Sequence, residues 1–165
     1  MAGIQMIISL GQYKEAETYL REAIDVCRKV RNKRGEGPAL GFLGLGHIVM
    51  GDLETGIKEA RESREIAREI GNQFLLVSSF HWSLLGHGSR GSYDKAFKSL
   101  EDLSKGANEI GSKHLIAMVP NHYGWIYNEL YNFRKAVVHN EAGVDLSQRL
   151  EDPECEIFSL LNLVG

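Results

Sequence analysis

Cysteine is nearly absent from this chain of 165 residues: there are two, Cys27 and Cys155, with no CxxC spacing between them. A disulfide framework needs more, so the pattern fits a reducing, cytoplasmic compartment and a fold held by its own core. Long apolar runs are missing too. Nothing approaches the roughly 18 consecutive apolar residues that a membrane-spanning helix needs, and the opening MAGIQMIISLGQ has no charged leader or small-residue cleavage site. Charge of one sign is also lacking: the net charge is −3, and the basic cluster Arg28–Arg34 is balanced by acidic helices. That excludes the basic stripe on which nucleic-acid binding depends. Proline is scarce, with three residues, and glycine is not, with 18.

Chemical motifs are equally sparse. No HxxxH, HExxH or CxxC offers the ligand spacing of a metal site, and no GxxxxGKS cradles a phosphate. GHGSRGSYDK imitates a glycine-rich loop only loosely and is explained by turn chemistry. His47 and His87, one period apart, read as packing residues; His114 and His139 read as solvated. The carboxylates fall where i,i+4 pairing with Lys and Arg accounts for them. The expectation is a chain with no catalytic residues, no metal and no cofactor.

What is present is a period. Shifting VMGDLETGIKEARESREIAREIGN, residues 49–72, by 40 residues places Leu53 on Tyr13, Tyr93 and Phe133, and Gly56 on Ala16, Ala96 and Ala136. Two columns of cap-forming residues punctuate it: Gln12, Asp52, Ser92 and Asn132, then Asn32, Asn72, Ser112 and Asp152. Glycine precedes several of them, at 11, 51, 71, 91 and 111, as a helix-ending residue. The columns predict one kind of helix, A, near 33–50, 73–89 and 113–130. They predict a second kind, B, near 13–30, 53–70, 93–110 and 133–150. B helices are amphipathic, whereas A helices are apolar on more than one side and must lie between neighbours. Pro38 and Pro120 fall several residues into A helices, so either those helices kink or their first turns belong to the linkers.

These columns resemble the tetratricopeptide repeat family. The resemblance rests on Leu43-Gly44 with His47, Gly51-Asp52-Leu53 and Gly56, and on Tyr123-Gly124 with Tyr127, Tyr131-Asn132-Phe133 and Ala136. The usual period is 34 residues; the longer one here looks like the variety in large bacterial signalling proteins and spindle-orientation adaptors. It implies an all-α fold, a right-handed superhelix or α-solenoid of antiparallel helix pairs. The repeats would span about 1–31 (truncated at its start), 32–71, 72–111 and 112–151, with a half-repeat at 152–165, as part of a longer array.

The resemblance also implies a concave groove for a protein or peptide partner, making the chain a non-catalytic scaffold within a larger signalling protein. Offset from the pairing positions, the groove residues are Ser78, His81, Trp82, Leu85 and Ser89, then Met118, Asn121, His122, Trp125, Asn128 and Glu129. Trp, Met and Leu would anchor a peptide or helix while Asn and His bond its backbone. An alternative is assembly of a homo-oligomer through uncapped ends, by Ile4, Ile7, Ile8 and Leu10 of one copy against Ile157, Phe158, Leu161 and Val164 of another.

Overall fold

The computed structural model describes residues 13–164, and among these every regular element is a helix. They are α1 (Tyr13–Lys29), α2 (Lys33–Val49), α3 (Leu53–Glu69), α4 (Gln73–Ser89), α5 (Tyr93–Ile110), α6 (Lys113–Glu129), α7 (Phe133–Leu150) and α8 (Pro153–Val164). The predicted boundaries agree to within one residue at each end compared. Ile4, Ile7, Ile8, Leu10 and Gln12 lie outside the described residues.

The agreement has a local cause. The joints between helices are two or three residues long, and in most of them the last residue serves both neighbours. The Asp52 backbone N–H donates to the His47 carbonyl at 2.9 Å, closing α2. Its side chain accepts from the Thr55 N–H at 3.2 Å, opening α3. Asn32, Asn72, Asn132 and Asp152 act likewise. The residue before each must turn left-handed. Glycine does so at 51, 71, 91 and 111, but Arg31, Tyr131 and Glu151 do so as well, at φ of 55–59°, where a side chain costs about 1–2 kcal/mol. Because the caps lie at Asn32 and Ser112, Pro38 and Pro120 sit inside α2 and α6. The linker alternative is therefore excluded.

The chain forms two compact units, Met1–Ala96 and Phe97–Gly165, with the boundary inside α5. In the first, α1, α2, α3 and α4 pack each on the next, and α2 also meets α4. Ala16, Leu20 and Ile24 of α1 close on Ala39, Leu40 and Leu43 of α2. Ala60 and Ala67 of α3 close on Leu75 and Trp82 of α4. Helix pairs approach closely where side chains vanish: a Cβ on Gly44 would stand 2.8 Å from the Gly56 carbonyl oxygen. In the second unit α6 packs on α7, α7 on α8, and α6 on α8. Leu100, Leu103, Leu115, Ala117 and Ile126 are buried there. Both units therefore use the same scheme, with each apolar A helix covered by its neighbours.

Candidate functional site

The predicted groove residues fall into two sets, one per unit. In the first, Trp82 and Ser78 are buried, His81 and Leu85 are half-buried, and Ser89 is exposed. The Trp82 ring fills the space beside Gly41 of α2, 5.4 Å from the ring of Phe42 in an edge-on arrangement. In the second, Asn121 and His122 are buried, Met118, Trp125 and Asn128 are half-buried, and Glu129 is exposed.

Three of these residues converge. Trp125, Asn128 and Glu129 at the end of α6 line an open cleft of about 340 Å³ with Tyr131, Phe133, Leu161 and Asn162. Tyr131 is 81% and Phe133 61% exposed, their rings edge to face at 6.1 Å. The floor is fixed by amides: Asn128 Nδ2 donates to the Asn162 carbonyl at 3.0 Å, and Asn162 Nδ2 reaches the Asn121 carbonyl and Asn140 Oδ1 at 3.4 Å each. These bonds tie α6, α7 and α8 together under an aromatic rim. Leu161, predicted for the ends, lines this cleft. Ile157, Phe158 and Val164 are likewise exposed on α8, at 56%, 47% and 84%.

Tyr131 and Phe133 were missed because they belong to the punctuation and B-helix columns, which the period treats as structure. Tyr131 occupies a slot held by glycine at 51 and 91. A large ring where the repeat asks for none was the available signal.

A second cleft, of about 520 Å³, lies wholly in the first unit. Lys58, Arg61, Arg64, Arg90 and Lys95 line it, with Glu54, Ile57, Ser83 and His87. Arg64 is pinned, its guanidinium donating to Ser79 Oγ and the Ser79 carbonyl at 3.1 Å and lying 4.5 Å over the Phe80 ring. Burial, and then the charges of Lys95, Arg64, Arg90 and Arg61, hold the His87 imidazole below its ordinary pKa. The spacing of Lys58, Arg61 and Arg64, three residues apart, could have exposed this cleft; i,i+4 pairing had absorbed them.

The histidines are partly as expected. His47 is largely buried, its Nδ1 2.6 Å from Glu59 Oε2. Burial pushes the Glu59 carboxyl up, with the His47 hydrogen bond opposing it. His139 is not simply solvated: it stacks on Tyr123 and Tyr127 at 5.0 and 5.3 Å, and burial lowers its pKa. His114 has an exposed ring but also a firm partner, Asp152 Oδ2 at 2.7 Å.

Consecutive antiparallel helices with interchangeable joints define a helical repeat protein. A tetratricopeptide repeat model matches residues 8–34. Tetratricopeptide repeat protein 29 of Macaca fascicularis is 24% identical over 139 residues, covering 84% of this chain and 29% of that protein. The chain is thus similar to tetratricopeptide repeat proteins, whose repeats generally mediate protein–protein interaction. No helix among the described residues is long and apolar enough to cross a membrane.

Proposed function

We propose that the chain is a non-catalytic scaffold in a larger cytoplasmic signalling protein, and that it docks a peptide or partner helix at the α6–α8 cleft. The observation that carries this reading is the pairing of an exposed aromatic rim, Tyr131 and Phe133, with a floor of fixed amides. Aromatic side chains give large contact area at little entropic cost, and amides satisfy a guest's backbone. The cleft is open rather than enclosed, which suits a chain better than a small metabolite.

Selection from a random peptide library against the whole chain tests this. Selected peptides should lose roughly 10- to 100-fold in affinity on Trp125→Ala or Tyr131→Ala, the range of an interface anchor. Equal binding by both variants would refute the proposal.

Self-association is a second reading, supported by the exposed row Ile157, Phe158, Leu160, Leu161 and Val164 on α8. Contiguous apolar patches of this sort mark association surfaces. Light scattering should give a mass that rises with concentration and falls back in Phe158→Glu. A constant monomer mass rules it out.

A further inference from the structure

We infer that His114, Asp152 and Cys155 form a binding site for one divalent transition-metal ion of the zinc class. His114 is the second residue of α6, Asp152 caps α8, and Cys155 is the third residue of α8. Nδ1 of His114, a carboxylate oxygen of Asp152 and Sγ of Cys155 all lie within 4.8 Å of one another.

The separations can be compared with what a metal requires. Tetrahedral geometry with Zn–N and Zn–O near 2.0 Å and Zn–S near 2.3 Å puts nitrogen and oxygen roughly 3.3 Å apart, and nitrogen and sulfur roughly 3.5 Å apart. Here Sγ and Nδ1 are 3.7 Å apart, close to that already. Nδ1 and Oδ2 are 2.7 Å apart, joined by a hydrogen bond. They would open by roughly 0.6 Å to admit an ion between them. The His114 side chain, 47% exposed, has the room to swing that far.

The carboxylate is already oriented for the task. Its Oδ1 accepts the Cys155 backbone N–H at 3.0 Å, so the cap holds one oxygen and aims the other at the imidazole. Ligating carboxylates held in this way by an outer hydrogen bond are the usual arrangement. The donor set, one nitrogen, one oxygen and one sulfur, suits zinc or cobalt rather than magnesium or calcium, which take oxygen. Three protein donors leave the fourth position to water.

The repeat supplies an internal comparison. At the positions of Asp152 and Cys155 the other repeats carry Asn32 with Gly35, Asn72 with Leu75, and Ser112 with Leu115. At the position of His114 they carry Arg34 and Phe74. Capping is accomplished by Asn or Ser, and burial by Leu75 and Leu115, both 4% exposed. Neither task asks for a thiol, a carboxylate and an imidazole together, yet all three occur at one joint.

Burial, and then the neighbouring Asp152 charge, push the Cys155 thiol up to about 12. The thiol therefore carries its proton at neutral pH, and the metal must displace it. Binding converts Cys–SH to a metal thiolate and releases that proton to solvent.

Titration of the whole chain with Co²⁺ under reducing conditions is the test. The expected result is one equivalent bound, with a sulfur-to-cobalt charge-transfer band in the near ultraviolet and tetrahedral bands in the visible, both abolished by excess Zn²⁺. Cys155→Ser should remove the charge-transfer band, and His114→Ala should weaken binding at least about tenfold. Cys27→Ser should change neither. His114 is half exposed, so its variant retains the fold, which circular dichroism checks. Absence of the bands at stoichiometric Co²⁺, their loss in Cys27→Ser, or indifference to His114→Ala overturns the assignment, leaving a capping hydrogen bond alone.

Discussion

Placing one methyl group on Gly41 should destabilise the first unit by about 2 kcal/mol, against the direction that helix propensity dictates. Alanine is favoured over glycine inside a helix by about 1 kcal/mol. A Cβ at Gly41, however, would stand 1.9, 2.3 and 2.7 Å from three carbons of the Trp82 ring. Carbon atoms in contact sit near 3.5–4.0 Å, so the ring must retreat by roughly 1.5 Å. It cannot do so freely, because it is 5% exposed and edges onto Phe42. Overpacking costs about 1–3 kcal/mol and occasionally more, and outright eviction of a Trp about 3–5 kcal/mol. Subtracting the propensity gain leaves about 2 kcal/mol, read from urea unfolding by far-ultraviolet circular dichroism. The decisive control is a double-mutant cycle. Trp82→Leu should cost less in the Gly41→Ala background than alone, with a coupling of about 2 kcal/mol. If Gly41→Ala is no less stable than the parent, or the two changes add, the reasoning is wrong.

Four further outcomes follow from the joints and the buried charge. Glu151→Gly, relieving a left-handed non-glycine residue, should stabilise by about 1 kcal/mol and raise Tm by about 2–4 °C; Gly71→Ala should do the reverse in a parallel melt. Asn72→Ala removes the cap that holds the Leu75 N–H at 3.0 Å and should cost about 1 kcal/mol in urea unfolding. Glu36→Gln should destabilise near pH 7 by about 1 kcal/mol. Burial alone would raise the Glu36 pKa, but hydrogen bonds from Arg28 and Lys33 outweigh it and hold the carboxyl low. A depressed folded pKa confers stability above the ordinary glutamate value, and that stability is lost as pH falls through the folded value. The difference between variant and parent should accordingly shrink below about pH 4.5; a constant gap across pH would contradict the assignment.

The elements were legible because their ends are written locally. A cap residue and a left-handed turn act over three or four neighbours, so Asp52, Asn72 and Ser112 announce α3, α4 and α6 without help from the rest of the chain. Pro38 and Pro120 were not legible, because whether a helix tolerates proline depends on packing that propensity does not contain. The sites were harder still. Trp125 and Asn128 share a face by their offset along α6, but Tyr131, Phe133 and Asn162, which line the same cleft, come from other columns of the repeat, and only the fold brings them together. The cluster of His114, Asp152 and Cys155 escaped for the same reason. A ligand spacing of 38 and then three residues matches no motif, yet one turn of packing closes it.

Most surface connections between helices can absorb an extra residue or two at little cost. Here the amino acid that stops one helix also starts the next, so a single insertion would deprive one helix of its stop or the other of its start. Such a chain is poorly placed to vary by lengthening its connections. Variation is instead channelled into side chains at fixed addresses, or into gain and loss of 40 residues at a stroke.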